Sequence, residues 1–230
     1  MKIRSGVRGA AVEVFIIVVG IGLALSADAW WDDLQQDKRV RQHLTSLVRD
    51  FEQMSARADS SLTTATTAVA AGKKLQAAFN PGGPPLEPDS ALAWVSRLLT
   101  YEVFSPGVGG YEALVASGDL EHLGNQELKR NLGEFFGSFE DMRVSERFLL
   151  EAQAQLIREE VFARYVGVER ILGPFVEGFP SLRGAPVDMW GSSPILVNGL
   201  ASLTMCQRGV LEDYRYLRVR LDEIHTLLGR

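Results

Sequence analysis

Three histidines are the residues whose types and spacing come nearest to a metal-binding pattern. Two of them follow an aspartate by three positions, as Asp119-x-x-His122 and Asp222-x-x-His225. Helical di-iron proteins instead use Glu-x-x-His pairs with two further glutamates that project into a bundle. Here both acids are aspartates, the first pair falls between predicted helices, and no inward set of glutamates is evident. We therefore expect surface histidines, His43 included, with no metal site and no cofactor.

Signatures of nucleophilic or phosphate chemistry are missing from the sequence. It has no G-x-S-x-G elbow, and Ala71-Gly-Lys-Lys74 lacks the leading glycine and the final Ser or Thr of a P-loop. The one cysteine, Cys206, can form no intrachain disulfide, and it falls one residue before a predicted core position, as a small buried hydrophobic residue would. Nothing in the pattern points to acid–base catalysis either. We predict no catalytic residue and no enzyme activity.

The charge balance argues against nucleic acid as a partner. The chain has 24 basic and 29 acidic residues, for a formal net charge of −5. Lys2, Arg4 and Arg8 precede every acid, so the remainder of the chain is more acidic than the total. Nucleic-acid binding needs clustered lysine and arginine to replace counterions, and no basic stripe is evident.

The N-terminal segment has the composition of a membrane anchor. Residues 14–25 are an unbroken run of apolar residues and glycine, and Trp30 and Trp31 follow where an interfacial aromatic belt would lie. Residues 12–29 would form a helix about 27 Å long, against a hydrocarbon core of about 30 Å. The segment is therefore just long enough to cross a bilayer.

The charges around this segment predict its topology. Basic residues come before the span and Asp32-Asp33 come just after it. By the positive-inside rule, residues 1–11 are cytoplasmic, residues 12–29 are the transmembrane anchor, and residues 30–230 form an extracytoplasmic domain. The localisation that follows is a membrane crossed once, with the lipid bilayer itself as a partner.

Two other interpretations of the N-terminal segment stay open. Residues 1–29 could be a signal peptide cleaved at the A-x-A site Ala27-Asp28-Ala29, or the apolar run could be the core helix of a soluble protein. However, no Pro or Gly occurs between Gly22 and Gly72, and an amphipathic pattern follows the tryptophans directly. This favours one helix that leaves the bilayer and continues outward, because a mature chain beginning at Trp30 would start in mid-helix.

Beyond the anchor, heptad-spaced apolar residues predict three long helices. A short fourth helix is also predicted, and no stretch of useful length shows the alternation of apolar and polar residues that is typical of β-strands. The fold class is therefore all-α, with an N-terminal transmembrane helix that continues into a long helix packed in an antiparallel bundle. The seams are Val40, Leu44, Leu47, Phe51, Met54, Ala58, Leu62, Ala65 and Val69; Leu128, Leu132, Phe135, Phe139, Met142, Leu149 and Leu156; and Leu196, Leu200, Leu203, Val210, Tyr214, Leu217, Leu221, Ile224 and Leu228.

Capping residues and prolines predict where these helices begin and end. The predicted boundaries are a rigid turn over 80–88, an N-cap at Asp89 for a helix over 90–99, a loop over 104–110, a helix over 111–117 closed by Gly118, and an N-cap at Asn125 for a helix to about Tyr165.

Three polar residues occupy positions of the apolar seams. Glu146 and Gln153 lie in the seam of the helix that follows Asn125, and Gln207 lies in the last seam. A polar seam residue often fixes the register of a bundle, and partial exposure is equally ordinary. The alternative is a functional polar pocket inside the bundle.

A long connector over residues 167–194 precedes the last helix. Its four prolines argue against regular helix, and Phe175, Phe179 and Trp190 indicate that it packs down, with one helical turn near residues 169–172. We expect a packed connector across the end of the bundle, with a lid or partner-binding surface as the alternative.

The chain also resembles a large uncharacterised family of bacterial single-pass membrane proteins. The resemblance covers about residues 10 to 140 and lies in the run from Glu13 to Leu25 with the Ala29-Trp-Trp-Asp-Asp33 exit, in Phe104-Ser-Pro106, and in Tyr111-Glu-Ala-Leu114 with Ser117-Gly-Asp-Leu120. It implies an uncleaved anchor in a bacterial inner membrane, an extracytoplasmic helical domain and no assigned activity. One difference is visible where the chain leaves the predicted span. This sequence has a Trp pair and Ala- and Ser-rich residues there, whereas many such proteins have Asn-rich polar residues.

Two functions fit these observations. The first is a membrane-anchored interaction, accessory or sensing module of the bacterial envelope, with an envelope protein or a second copy as its partner. In the anchor, the small residues of Gly20-x-x-x-Ala24 would let two copies pack closely. The second is an envelope enzyme or small-ligand binder, with a pocket inside the bundle at Glu146 or Gln153.

Overall fold

The computed structural model describes residues 4–105, 107–166 and 185–229. Over these residues the backbone forms helices joined by turns and irregular segments, with no β-strand. The all-α class predicted from the heptad patterns is confirmed. The elements are α1 (Arg4–Phe79), α2 (Pro88–Leu99), α3 (Gly109–Ala116), α4 (Gln126–Arg158), α5 (Glu160–Tyr165), a 3-10 helix (Val187–Ser192) and α6 (Pro194–Leu228).

α1 is one helix of 76 residues that contains both the apolar segment and the first seam. The absence of Pro and Gly between Gly22 and Gly72 explains this continuity. Gly72 does not interrupt the helix. A Cβ atom at this position would overlap the side chain of Thr204 on α6, so the glycine allows the two helices to approach closely.

Two of the predicted helix caps are confirmed and one is wrong. The Asn125 side chain accepts a hydrogen bond from the Leu128 backbone N–H at 3.0 Å, and Gly118 follows α3 with a φ of +76°. Asp89 is not an N-cap, because α2 already begins at Pro88. Proline suits the first helical position because its φ is fixed and an N–H there would lack a helical partner. Asp89 instead lies in the first turn, where its charge favours the helix dipole.

Two further boundaries differ from prediction. α3 begins at Gly109, within the predicted loop. The helix predicted to run to Tyr165 is divided, because Glu159 has an extended backbone (φ −65°, ψ 129°) that ends α4 and caps α5. In the connector, Trp190 is fully buried in the 3-10 helix, while Phe175, Phe179 and the turn predicted near residues 169–172 lie outside the described residues.

The chain divides into two compact units. The first comprises residues 1–49 and 108–124, and so contains the N-terminal part of α1 together with α3 and the turn after it. Its buried side chains include Leu47, Leu114 and Leu123. The second comprises residues 50–107 and 125–230.

In the second unit, α4 and α6 pack against each other in opposite directions. Glu134 near the start of α4 lies 3.1 Å from Arg220 near the end of α6. Leu156 near the end of α4 lies against Gly199 near the start of α6. These two contacts establish the antiparallel pairing.

The part of α1 beyond residue 50 also runs antiparallel to α6. Asp59 pairs with Arg218 at 2.6 Å, and Gly72 meets Thr204 farther along. The core of this unit is formed by the predicted seams. Its buried members include Phe51, Met54, Ala58, Ala65, Val69, Leu128, Leu132, Phe135, Met142, Leu149, Leu156, Leu196, Leu200, Leu203, Val210, Tyr214, Leu217, Leu221 and Ile224.

Candidate functional site

Four buried polar side chains meet in the core of the second unit, and we call them the polar centre. Glu146 and Gln153 lie on α4, and Gln207 and Tyr214 lie on α6, each pair seven residues apart and so on one helix face. All four are at least nine-tenths buried. Their common partner is the polypeptide at the end of α2 and in the α2–α3 segment, which we define as residues 100–105.

The two glutamines bind backbone carbonyls at the end of α2. Gln207 Nε2 donates to the carbonyl oxygens of Leu98 at 2.9 Å and Thr100 at 3.2 Å. Gln153 Nε2 donates to the carbonyl oxygen of Leu99 at 3.1 Å. The last carbonyls of a helix lack helical partners, and a buried unpaired carbonyl is costly. The amides therefore let α2 end inside the core.

Glu146 and Tyr214 bind the next residues of the same segment. Glu146 Oε1 accepts from the Phe104 backbone N–H at 3.1 Å and from the Tyr214 hydroxyl at 2.6 Å. The Tyr214 hydroxyl also lies 2.7 Å from the carbonyl oxygen of Glu102. One hydroxyl proton thus faces two acceptors.

Burial, and next the neighbouring Glu146, raise the pKa of Tyr214 above its ordinary value. The same two causes, in the same order, raise the pKa of Tyr101. Tyr214 therefore remains a neutral hydrogen-bond donor well into the alkaline range. It is placed to hold the segment and is unsuited to act as a base near neutral pH.

The other side of the α2–α3 segment is held by α1. The Arg57 guanidinium donates to the carbonyl oxygen of Ser105 at 2.7 Å, and the Glu102 carboxylate accepts from Ser60 at 2.8 Å and Thr64 at 3.3 Å. The Phe104 ring is buried, with its centroid 6.0 Å from that of Phe139. The segment is thus fixed by contacts with α4 and α6 on one side and with α1 on the other.

The space between the polar residues is filled by the protein's own chain. Glu146 and Gln153 are both buried in the core, but the groups that they bind are the Phe104 backbone N–H and the Leu99 carbonyl oxygen. The described clefts lie elsewhere. One of about 380 Å³ opens between α4 and α6 and is lined by residues that include Gln155, Glu159, Asn198 and Ser202.

The predicted surface histidines behave differently from one another. His122 and His225 are exposed. His43 is only partly exposed, and its Nε2 lies 3.3 Å from Oδ2 of the buried Asp119, with Arg39 Nε at 3.9 Å from the same oxygen. In the described part of the chain, no group of three or more His, Cys, Asp or Glu residues could hold a metal ion.

The apolar N-terminal part of α1 forms an extended exposed hydrophobic surface in the first unit. Phe15 and Leu23 are each 67% exposed, and Trp30 is 64% exposed. An 18-residue stretch of this helix has a mean hydropathy of 1.5, and none of it is buried inside the protein. By its length and composition, α1 could therefore cross a membrane.

The sequence indicated three members of the polar centre but not the fourth or their shared partner. Tyr214 occupies an ordinary seam position, and only its hydroxyl distinguishes it from the leucines around it.

Cys206, predicted to be buried, is partly exposed on α6, and burial raises its thiol pKa.

Comparisons with known proteins identified no relative of this chain. No protein-family model matches the chain, and neither do any curated protein or solved structure. The resemblance to the single-pass bacterial family therefore stays a prediction.

Proposed function

We propose that this protein is anchored in a membrane by residues 12–29 and that its helical body serves as an interaction, accessory or sensing module. The observation that carries the proposal is the exposed apolar surface of α1 between Phe15 and Leu25, followed by Trp30 and Trp31. A bilayer would cover the first part, and the two indoles would lie at its interface.

Transfer of this surface from water into a bilayer is energetically favourable. Eight large apolar side chains between Phe15 and Leu25 are 42% to 67% exposed. Transfer of such side chains out of water is worth about 1.5–3 kcal/mol each when complete. Together they supply on the order of 10 kcal/mol, which favours membrane insertion over exposure to water.

The charges support one orientation. Lys2, Arg4 and Arg8 precede the span and Asp28, Asp32 and Asp33 follow its apolar part. The positive-inside rule then favours a cytoplasmic N-terminus and an extracytoplasmic body. The family resemblance favours a bacterial inner membrane.

The chemistry of the body favours binding over catalysis. The carboxylate and amides of the polar centre are engaged with the chain's own backbone. A ligand could reach them only if the α2–α3 segment left. Contacts with another protein require no such change.

The interaction role is tested by crosslinking in cells that express a tagged full-length chain, followed by identification of what is recovered from the membrane fraction. We expect a reproducible envelope partner or a second copy. The matched control carries Val18→Arg and Ile21→Arg, because each central arginine costs about 2.5–3.5 kcal/mol on insertion. The control should lose both membrane retention and the partner. Recovery of the unmodified chain always alone and monomeric would contradict the proposal.

A further inference from the structure

A buried carboxylate lies in the first unit, in the turn that follows α3. We define this turn as residues 117–124. Its backbone is held by local hydrogen bonds: the Leu120 N–H donates to the Leu114 carbonyl oxygen at 3.1 Å, and the Asp119 N–H donates to the Ser117 hydroxyl at 3.3 Å. Asp119 is therefore fixed in position, and only 3% of its side chain is exposed.

The Asp119 carboxylate is short of hydrogen bonds. In the part of the chain that the structure describes, its Oδ2 is buried and accepts none. Nε2 of His43 on α1 lies 3.3 Å from this oxygen, close to it but without the alignment of a hydrogen bond. A buried carboxylate that has neither hydrogen bonds nor a counter-charge is costly. The arrangement therefore needs a positive charge beside Oδ2.

Two side chains of α1 can supply this charge, and they differ in how closely they approach. Arg39 and His43 are one turn apart on the same face of the helix. Arg39 Nε lies 3.9 Å from Oδ2, and 54% of the side chain is exposed, so water screens its charge. His43 is closer, and only 25% of its side chain is exposed. The buried oxygen is thus stabilised most by His43, provided that the imidazole is protonated.

Few other titratable groups surround the His43 ring. Of the α1 positions one turn away on either side, which are Arg39, Val40, Ser46 and Leu47, only Arg39 is charged. The other titratable side chains of α3 and the turn are exposed or partly exposed; they are Tyr111, Glu112, Glu121 and His122. Within the described residues, His43 forms an ion-pair contact with Asp119 alone.

We propose that Asp119 and His43 form a proton-controlled latch that holds the turn 117–124 on α1. A protonated imidazole attracts the carboxylate without strict alignment, whereas a neutral imidazole in this geometry gives Oδ2 no hydrogen bond. Histidine is the side chain whose charge ordinarily changes between about pH 5 and about pH 8. The proton stabilises the closed turn, so the stabilisation is present at mildly acidic pH and is lost as pH rises through that range.

The latch gives the sensing role a stimulus, the proton, and in that sense rests on the proposed function. Release of the turn would expose side chains that are buried in this unit, Leu114 and Leu123 among them. Local opening of this kind is measured by hydrogen exchange of backbone amides.

The experiment is hydrogen exchange with mass spectrometry on the full-length chain in detergent micelles, at about pH 6 and about pH 8. Each rate is divided by that of an unstructured peptide of the same sequence at the same pH, which removes the intrinsic effect of pH on exchange. We expect the protection of residues 117–124 to be about fivefold lower at the higher pH, the scale of one partly exposed ion pair. Peptides from the core of α6 should keep their protection.

Three variants test the assignment to this pair. His43→Gln should remove the pH difference, because its amide is polar but carries no charge. Asp119→Asn should remove it too, and it keeps the shape of the buried side chain, so it decides the question if His43→Gln loosens the turn at both pH values. His122→Gln is the matched control, because His122 is an exposed histidine of the same turn, and the pH difference should persist.

Four results would overturn the proposal. They are equal protection of the turn at both pH values in the unmodified chain, a pH difference that survives both His43→Gln and Asp119→Asn, one that His122→Gln abolishes, and one that the core of α6 shares in full. Membrane retention and crosslinking test the proposed function by separate readouts. Failure of the latch is therefore distinguished from failure of that function.

Discussion

Tyr214 contacts both the buried Glu146 carboxylate and the backbone of the α2–α3 segment. At the scale of single residues, its hydroxyl is the link between the polar centre and that segment. A phenylalanine at this position would keep the ring and its packing but lose the hydroxyl. The buried Glu146 carboxylate and the partly buried Glu102 carbonyl would then lose a donor.

Tyr214→Phe should therefore lower the free energy of unfolding by about 1–3 kcal/mol, because the Glu146 carboxylate and the Glu102 carbonyl lose the hydroxyl that they share. Chemical denaturation monitored by circular dichroism measures the change. Tyr216→Phe is the control, because Tyr216 is 46% exposed on the same helix and should change stability by less than about 0.5 kcal/mol. Equal effects of the two variants would show that the buried hydroxyl has no special role.

Stability should also depend on Tyr214 at alkaline pH. Because its pKa is raised in the folded protein, the folded chain keeps a proton that the unfolded chain releases above about pH 10. The stabilisation is complete below that pH and declines as pH rises further. The free energy of unfolding should thus fall as pH rises above about 10, and less steeply in Tyr214→Phe. Identical slopes in both proteins would contradict this assignment.

At the scale of elements, the close approach of α1 and α6 depends on one small residue. Gly72 lies against Thr204 with no room for a Cβ atom. At Gly133 on α4, by contrast, an added Cβ atom would meet nothing within 4 Å. The two helical glycines therefore differ in packing and not in backbone conformation.

Gly72→Ala should destabilise the protein by about 1–3 kcal/mol, because the methyl group forces the helices apart. Gly133→Ala should instead leave stability unchanged or raise it by up to about 1 kcal/mol, because alanine favours the helix and restricts the unfolded chain. Thermal and denaturant unfolding of both variants measure the difference. Stabilisation by both would mean that Thr204 moves aside freely.

Local patterns predicted the helices well and their partners poorly. Heptad spacing identified the seams of α1, α4 and α6 because burial of one helix face follows directly from the spacing of apolar residues. The break at Glu159 and the start at Pro88 were missed or misplaced, since several residues near each point could end a helix. Gln207 was recognised as a polar seam residue, but its partner Leu98 is 109 positions away, and no local signal encodes such a contact.

For the whole molecule, the proposal on which the others depend is anchorage by an uncleaved N-terminal helix. α1 is unbroken from the apolar segment into its second, seam-bearing half. Cleavage after Ala29 would cut this helix and remove the surface that carries the proposal. Mass and membrane retention together therefore distinguish an anchor from a signal peptide and from a soluble core helix.

Anchorage is tested by alkaline washing of membranes that contain the full-length chain, followed by the intact mass of the retained protein. We predict that the chain stays in the washed membrane and carries all 230 residues, at about 25.3 kDa. Release into the wash, or a mass that lacks residues 1–29, would contradict anchorage by an uncleaved helix.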